Sequence, residues 1–141
     1  FPEAIVGIKD SSGVWDNTKA LLEIDGLIVY PGAELPIIEA IRLGAPGCIS
    51  ATANLNGTDI AEVIDLCLAD NWKLAETKHK KVCAVRLMFQ DYAPIPAQKA
   101  LLARSTGHRA WGNLRAPMQP MDKDKLDALA NGLASEFGMH F

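Results

Sequence analysis

Residues 4–10, Ala-Ile-Val-Gly-Ile-Lys-Asp, start as an unbroken apolar run and end in charge. A parallel strand covered on both faces reads this way, with its polar residues gathered at the carboxyl end. Leu27-Ile28-Val29-Tyr30 repeats the pattern before Pro31-Gly32, and Gly47-Cys48-Ile49-Ser50-Ala51-Thr52 repeats it again. Between these runs the apolar period becomes helical. Asp16 and Asn17 can cap a helix over residues 18–24, with Gly26 as its stop. Leu35, Ile38 and Ile41 share one face of a helix over 35–43 that Gly44 ends. Ile60, Val63, Ile64, Cys67 and Leu68 make a single buried stripe, opened by the turn Asn56-Gly57-Thr58. Strand and helix thus alternate three times, which predicts parallel strands joined by right-handed crossovers.

From Trp72 onward no strand signal recurs. Helices are predicted over residues 72–90, over 95–105 behind the turn Ala93-Pro94-Ile95-Pro96, and over 121–137. Asp122 caps the last, after Pro117 and Pro120. The reading is therefore an α/β segment over 1–71 followed by a helical region over 72–141. Three parallel strands leave open edges, which predict association, a homo-oligomer included. The abrupt start just before a buried strand predicts the later part of a larger fold.

Composition narrows the partners. With 141 residues, 49% hydrophobic, the chain can bury a core, and a net charge of −3 argues against nucleic acid. The basic run Lys78-His79-Lys80-Lys81, close to Glu76, reads as a solvated helix face. No apolar run approaches the roughly 20 residues of a membrane helix. Phe1-Pro2-Glu3 lacks the basic and apolar regions of a secretion leader. Cys48, Cys67 and Cys83 suit neither a zinc site nor a disulfide framework and read as reduced thiols in a cytoplasmic setting. His79, His108 and His140 are scattered, with no spacing for a shared metal and no assigned role.

Lys9 is the residue with chemistry to explain. At the carboxyl end of a parallel strand, a lysine is either an ordinary solvated terminus or an amine placed to react. Its surroundings resemble a known family. Ile8-Lys9-Asp10-Ser11-Ser12-Gly13, Tyr30-Pro31-Gly32 and residues 47–54 are similar to strands six, seven and eight of the dihydrodipicolinate synthase and N-acetylneuraminate lyase family. Residues 94–101 and Leu114-Arg115-Ala116-Pro117-Met118 resemble its C-terminal helical region. The resemblance implies a (β/α)8 TIM barrel, of which this chain holds strands 6–8 and the helical tail. Such barrels need about 250 residues, so the N-terminal half-barrel would be a missing partner.

The resemblance also implies roles. Lys9 would attack the ketone of pyruvate, or of another 2-keto acid, to form a Schiff base. A free lysine has a pKa of about 10.4 and is no nucleophile when protonated. Enclosure behind Ile5, Val6 and Ile8 would penalise the charged form and lower that value. Gly32 matches a glycine that leaves room beside substrate, with a plain turn glycine as the alternative. Ile49 matches a position whose backbone faces the bound pyruvate, its side chain being apolar core. Glu34 falls where sugar-acid members hydrogen-bond substrate hydroxyls, the alternative being a solvated glutamate at a helix start. Ala51 stands where sialic-acid cleaving members carry serine, a departure that points to a less hydroxylated substrate. The family's proton-relay tyrosine and its carboxylate-holding loop would precede this chain, and Tyr30 does not replace that tyrosine.

The function expected on this resemblance is a class I lyase or aldolase that joins or cleaves pyruvate and an aldehyde without cofactor or metal. Dihydrodipicolinate synthesis and sugar-acid dehydration are the enzymatic alternatives. A non-catalytic half-barrel module that only assembles with partners is the rival from another class.

Overall fold

The computed structural model describes Phe1 and residues 3–141; Pro2, part of the N-terminal reading above, lies outside the described residues. The elements run β1 (Gly7–Asp10), α1 (Trp15–Leu22), β2 (Ile28–Pro31), α2 (Ile37–Arg42), α3 (Ala53–Leu68), α4 (Trp72–Met88), α5 (Pro94–Thr106), a 3-10 turn (Arg109–Gly112) and α6 (Lys123–Phe137). They form a helix-rich α/β chain of two compact units, Phe1–Cys83 and Ala84–Phe141, so the division falls inside α4.

In the first unit β1 and β2 are parallel and in register, Gly7 opposite Ile28, Lys9 opposite Tyr30 and Asp10 opposite Pro31. Alternation gives the sheet two different faces. Val29, Pro31 and Asp10 are buried on one, whereas Gly7, Lys9 and Ile28 are exposed on the other and Tyr30 is half-buried. Gly7 permits the close pairing, since a Cβ there would meet the Ile28 carbonyl oxygen at 2.7 Å.

Among the described residues the sheet has these two strands. Residues 47–52, expected as a third, run beside β2 through a single bond from the Ile49 N–H to the Pro31 carbonyl, 3.0 Å long, and then turn into α3. A ladder needs donors as well as acceptors, and Pro31 and Pro46 have no N–H to give. The apolar enclosure expected at β1 is also absent among the described residues. Ile5 is 58% exposed, Val6 64% and Ile8 41%, because β1 has β2 on one side only.

The first unit's core joins Ile37, Ile38 and Ile41 of α2 to Ile60, Val63 and Cys67 of α3 and to Ala75 and Val82 of α4. Two residues expected on these faces are exposed. Leu35 precedes α2 in a turn, and Leu68 sits at the last residue of α3. The turn read at Asn56-Gly57-Thr58 is a kink at Asn56 (φ −125°, ψ 29°) within α3, which starts earlier, at Ala53. The basic run of α4 pairs with α3 instead of facing water alone: Lys78 reaches Glu62 at 2.8 Å and Lys81 reaches Asp59 at 2.9 Å.

The second unit is helical. Phe89, Ala97, Leu101, Leu129, Ala130 and Leu133 are buried. Pro94 opens α5, where a missing N–H costs nothing, and Gly107 ends it at φ +67°. The Asp122 carboxylate caps α6, accepting from the N–H groups of Asp124 and Lys125 at 3.0 and 3.1 Å. Among the described residues no helix is long and apolar enough to cross a membrane.

Candidate active site

The carboxyl ends of β1 and β2 bring together the chemistry that the sequence singled out. Lys9 is exposed on the open face opposite Tyr30. The next residue, Asp10, turns to the covered face and is 7% exposed. Its carboxylate accepts from the Ser12 N–H (2.9 Å) and hydroxyl (3.0 Å), from the Asn17 amide (3.1 Å) and from the Thr18 hydroxyl (2.5 Å). The Thr18 bond above all, then those from Ser12 and Asn17, lowers its pKa to about 2 against the opposing effect of burial. Asn17 was expected to cap α1. Instead Val14 takes the cap position, and the Asn17 amide serves Asp10.

Gly32 follows β2, and its N–H donates to the Asp10 carbonyl at 2.7 Å. A Cβ at Gly32 would lie 2.6 Å from that oxygen and 3.2 Å from Ser11 Cα. The glycine is therefore required by the neighbouring backbone of β1, whatever room it leaves for a ligand.

Glu34 is 1% exposed, which removes its reading as a solvated glutamate. One carboxylate oxygen accepts from the Ser50 hydroxyl at 2.7 Å and from the Thr52 hydroxyl, and the two hydroxyls lie 3.0 Å apart. The Glu34 carbonyl lies 2.7 Å from His79 Nε2 on α4, so that nitrogen carries the proton and donates. Cys83 Sγ, one turn along, is 3.3 Å from the same nitrogen. Burial first, and the Glu34 charge second, push the Cys48 thiol up to about 11. Burial likewise raises the thiols of Cys67 and Cys83.

Ile49 is 46% exposed, which corrects its reading as apolar core, and its N–H is occupied by Pro31. Ala51 is exposed, and its carbonyl accepts from the Asn54 side-chain amide at 2.8 Å. The structure thus brings Glu34, Ile49 and Ala51 onto adjoining loops through Ser50 and Thr52, and joins Gly32 to the strand of Lys9. Ser50, Thr52, Thr18 and His79 were missed as members of these networks. The spacing of Ser50 and Thr52 by two, which puts both hydroxyls on one side of an extended segment, was the available signal.

Parallel strands, covering helices and polar side chains gathered where the strands end define an α/β protein with a candidate site at the carboxyl edge of its sheet. A model of the dihydrodipicolinate synthetase family matches residues 2–136, and the chain belongs to that family. It is 31% identical over 135 residues to 4-hydroxy-tetrahydrodipicolinate synthase of Methanosarcina barkeri, covering 93% of this chain and 45% of that protein. The Buchnera aphidicola enzyme of the same name is 31% identical over 125 residues, covering 86% and 41%. Among solved structures, dihydrodipicolinate synthase from Agrobacterium tumefaciens superposes with a TM-score of 0.77 at 26% identity, over 97% of this chain and 45% of that one. N-acetylneuraminate lyase from Fusobacterium nucleatum shares the fold, with a TM-score of 0.78 at 20% identity, over 96% and 46%. The chain spans about half the length of the curated relatives it matches.

Proposed function

We propose that this chain carries the nucleophile and part of the wall of a class I, Schiff-base-forming lyase or aldolase that joins or cleaves pyruvate and an aldehyde. The observation that carries this reading is Lys9, exposed beside Tyr30 at the carboxyl end of β1 in a chain of this family. The Nζ of Lys9 adds to the ketone carbon, and loss of water leaves an iminium. Loss of a proton from the adjacent methyl group gives an enamine, whose carbon attacks the aldehyde; hydrolysis then frees the product and the amine. Read backwards, the same steps cleave the bond. No electron acceptor is consumed.

In this reading residues 1–71 are the strand 6–8 portion of a (β/α)8 barrel and 72–141 its helical region. The open edge of β1 is where the preceding part of the barrel pairs, and it encloses Lys9. The substrate-facing wall comprises Gly32, Ile49 and Ala51, with Glu34 behind it holding Ser50 and Thr52. Ala51 offers a substrate hydroxyl no partner, which favours a short or sparsely hydroxylated aldehyde. Three thiols that are neither paired nor exposed suit a reducing, cytoplasmic setting. A homo-oligomer is the partner state we assign.

The test is pyruvate with borohydride, followed by peptide mass mapping. Hydride reduces the C=N bond to a secondary amine, so Lys9 gains the mass of pyruvic acid less one oxygen atom. An adduct on Lys9 that Lys9→Ala abolishes supports the reading; no adduct, or one on another lysine, overturns it. The exposure of Ile5, Val6 and Ile8 favours a second reading, a half-barrel that only assembles with partners, and the absence of any adduct selects it. A sugar-acid dehydratase would share the imine and be told apart by releasing water from a 2-keto sugar acid.

A further inference from the structure

Lys9 and its neighbour Asp10 have opposite surroundings. Lys9 leaves the sheet on the open face, and Ile5, Val6 and Ile8 before it in the chain, Ile8 on the opposite face, are also exposed. Apolar packing among the described residues therefore does little to fix where its amine goes. Asp10 is held on every side. Ser12 binds its carboxylate twice, and Asn17 and Thr18 bind it from the first two turns of α1. Its carbonyl is held from β2 by the N–H of Gly32 at 2.7 Å. One residue thus ties together the end of β1, the start of α1 and the end of β2.

The donors divide between the two oxygens. Oδ1 receives both nitrogen donors, the Ser12 N–H and the Asn17 amide, and Oδ2 receives the Ser12 and Thr18 hydroxyls. A carboxylate accepts from all four with the strength its charge adds, whereas an asparagine keeps an oxygen for the nitrogen donors but needs both hydroxyls to turn and accept from its NH2. Successive residues of a strand point to opposite faces, so a fixed Asp10 fixes the direction in which Lys9 departs. Reactions through a covalent adduct depend steeply on that direction, an error of about 1 Å costing on the order of 100-fold.

We propose that Asp10 is a positioning residue for Lys9, anchoring the strand end through Ser12, Asn17, Thr18 and Gly32 so that the amine points across the carboxyl edge of the sheet. The proposal rests on the reading of Lys9 as the nucleophile, and its test separates the two.

Borohydride trapping with pyruvate is compared, as an initial rate at saturating pyruvate, in wild type, Lys9→Ala, Asp10→Ala, Asp10→Asn, Thr18→Val and Asp16→Ala. Amide order parameters from NMR are measured on the same proteins. Asp16 is exposed in the first turn of α1 and outside the cluster, so its variant controls for loss of one negative charge. Expected are trapping at least tenfold slower in Asp10→Ala, roughly threefold to tenfold slower in Asp10→Asn and Thr18→Val, and wild-type trapping in Asp16→Ala. Order at Lys9 and Ser11 should fall from about 0.85 to below about 0.6 in Asp10→Ala while the amides of β2 keep theirs. If Asp10→Ala fails to fold, Thr18→Val carries the comparison, since it removes one hydroxyl at nearly constant volume. Wild-type trapping in Asp10→Ala or Thr18→Val, or an equal loss in Asp16→Ala, overturns the positioning role while Lys9 stands. An adduct that persists in Lys9→Ala, or none in wild type, overturns the Lys9 reading and this proposal with it.

Discussion

The N–H of Gly32 donates to the carbonyl of Asp10 across 2.7 Å, and the two residues share a space with no room for a side chain. The chain leaving β2 lies directly on the chain leaving β1. Gly32→Ala would set a methyl group 2.6 Å from a backbone oxygen, where no flexible side chain can move aside. The strands must part, at a cost of roughly 1–3 kcal/mol typical of overpacking. Chemical denaturation should show this loss for Gly32→Ala and almost none for Gly57→Ala, where an added Cβ meets open space.

Asp10 gives the fold a defined acid sensitivity. Its pKa in the folded chain is lowered from 3.8 to about 2, chiefly by Thr18. The unfolded chain therefore takes up a proton first as pH falls. The stabilisation is complete above pH 3.8 and is lost between there and about 2. Denaturant midpoints measured across this window should fall in wild type. In Thr18→Val the starting stability should be lower and the decline in this window shallower.

Glu34 supports two hydroxyls from inside the protein, so its removal should act through the wall it holds. In Glu34→Ala the hydroxyls of Ser50 and Thr52 lose a buried acceptor, which costs about 1–3 kcal/mol. Glu34→Gln keeps an acceptor oxygen and should recover at least half of that loss. In turnover assays with the rest of the barrel supplied, Glu34→Ala should raise KM for the aldehyde more than for pyruvate. An unchanged aldehyde KM would remove Glu34 from the specificity of the site.

The Cys48 thiol, pushed up to about 11 by burial and by Glu34, is protonated at neutral pH. A thiol reagent at pH 8 should label Cys48 and buried Cys67 at least tenfold more slowly than a free peptide cysteine, and at the peptide rate in denaturant. Rapid labelling of Cys48 in the folded chain would contradict its burial.

The alternation of apolar runs with helical periods was enough to find β1, β2 and the helices, because both signals are local. Side chains that alternate or repeat on one face report the element that buries them. The cap at Asp122 was equally legible, as its bonds close within one turn of α6. The motif around Lys9 pointed to the carboxyl end of β1 for the same reason. Partners distant in sequence were decided by tertiary structure. Asn17 looked like a helix cap, but the folded chain offers it the Asp10 carboxylate seven residues earlier. Glu34 could be read as solvated until residues 47–52 came alongside with Ser50 and Thr52. Apolar runs predict burial only where a neighbour exists to cover them. Ile5, Val6, Ile8 and Ile49 remain exposed because pairing in the sheet, which no local pattern encodes, puts β2 on one side of β1 and leaves residues 47–52 with a single backbone bond to Pro31.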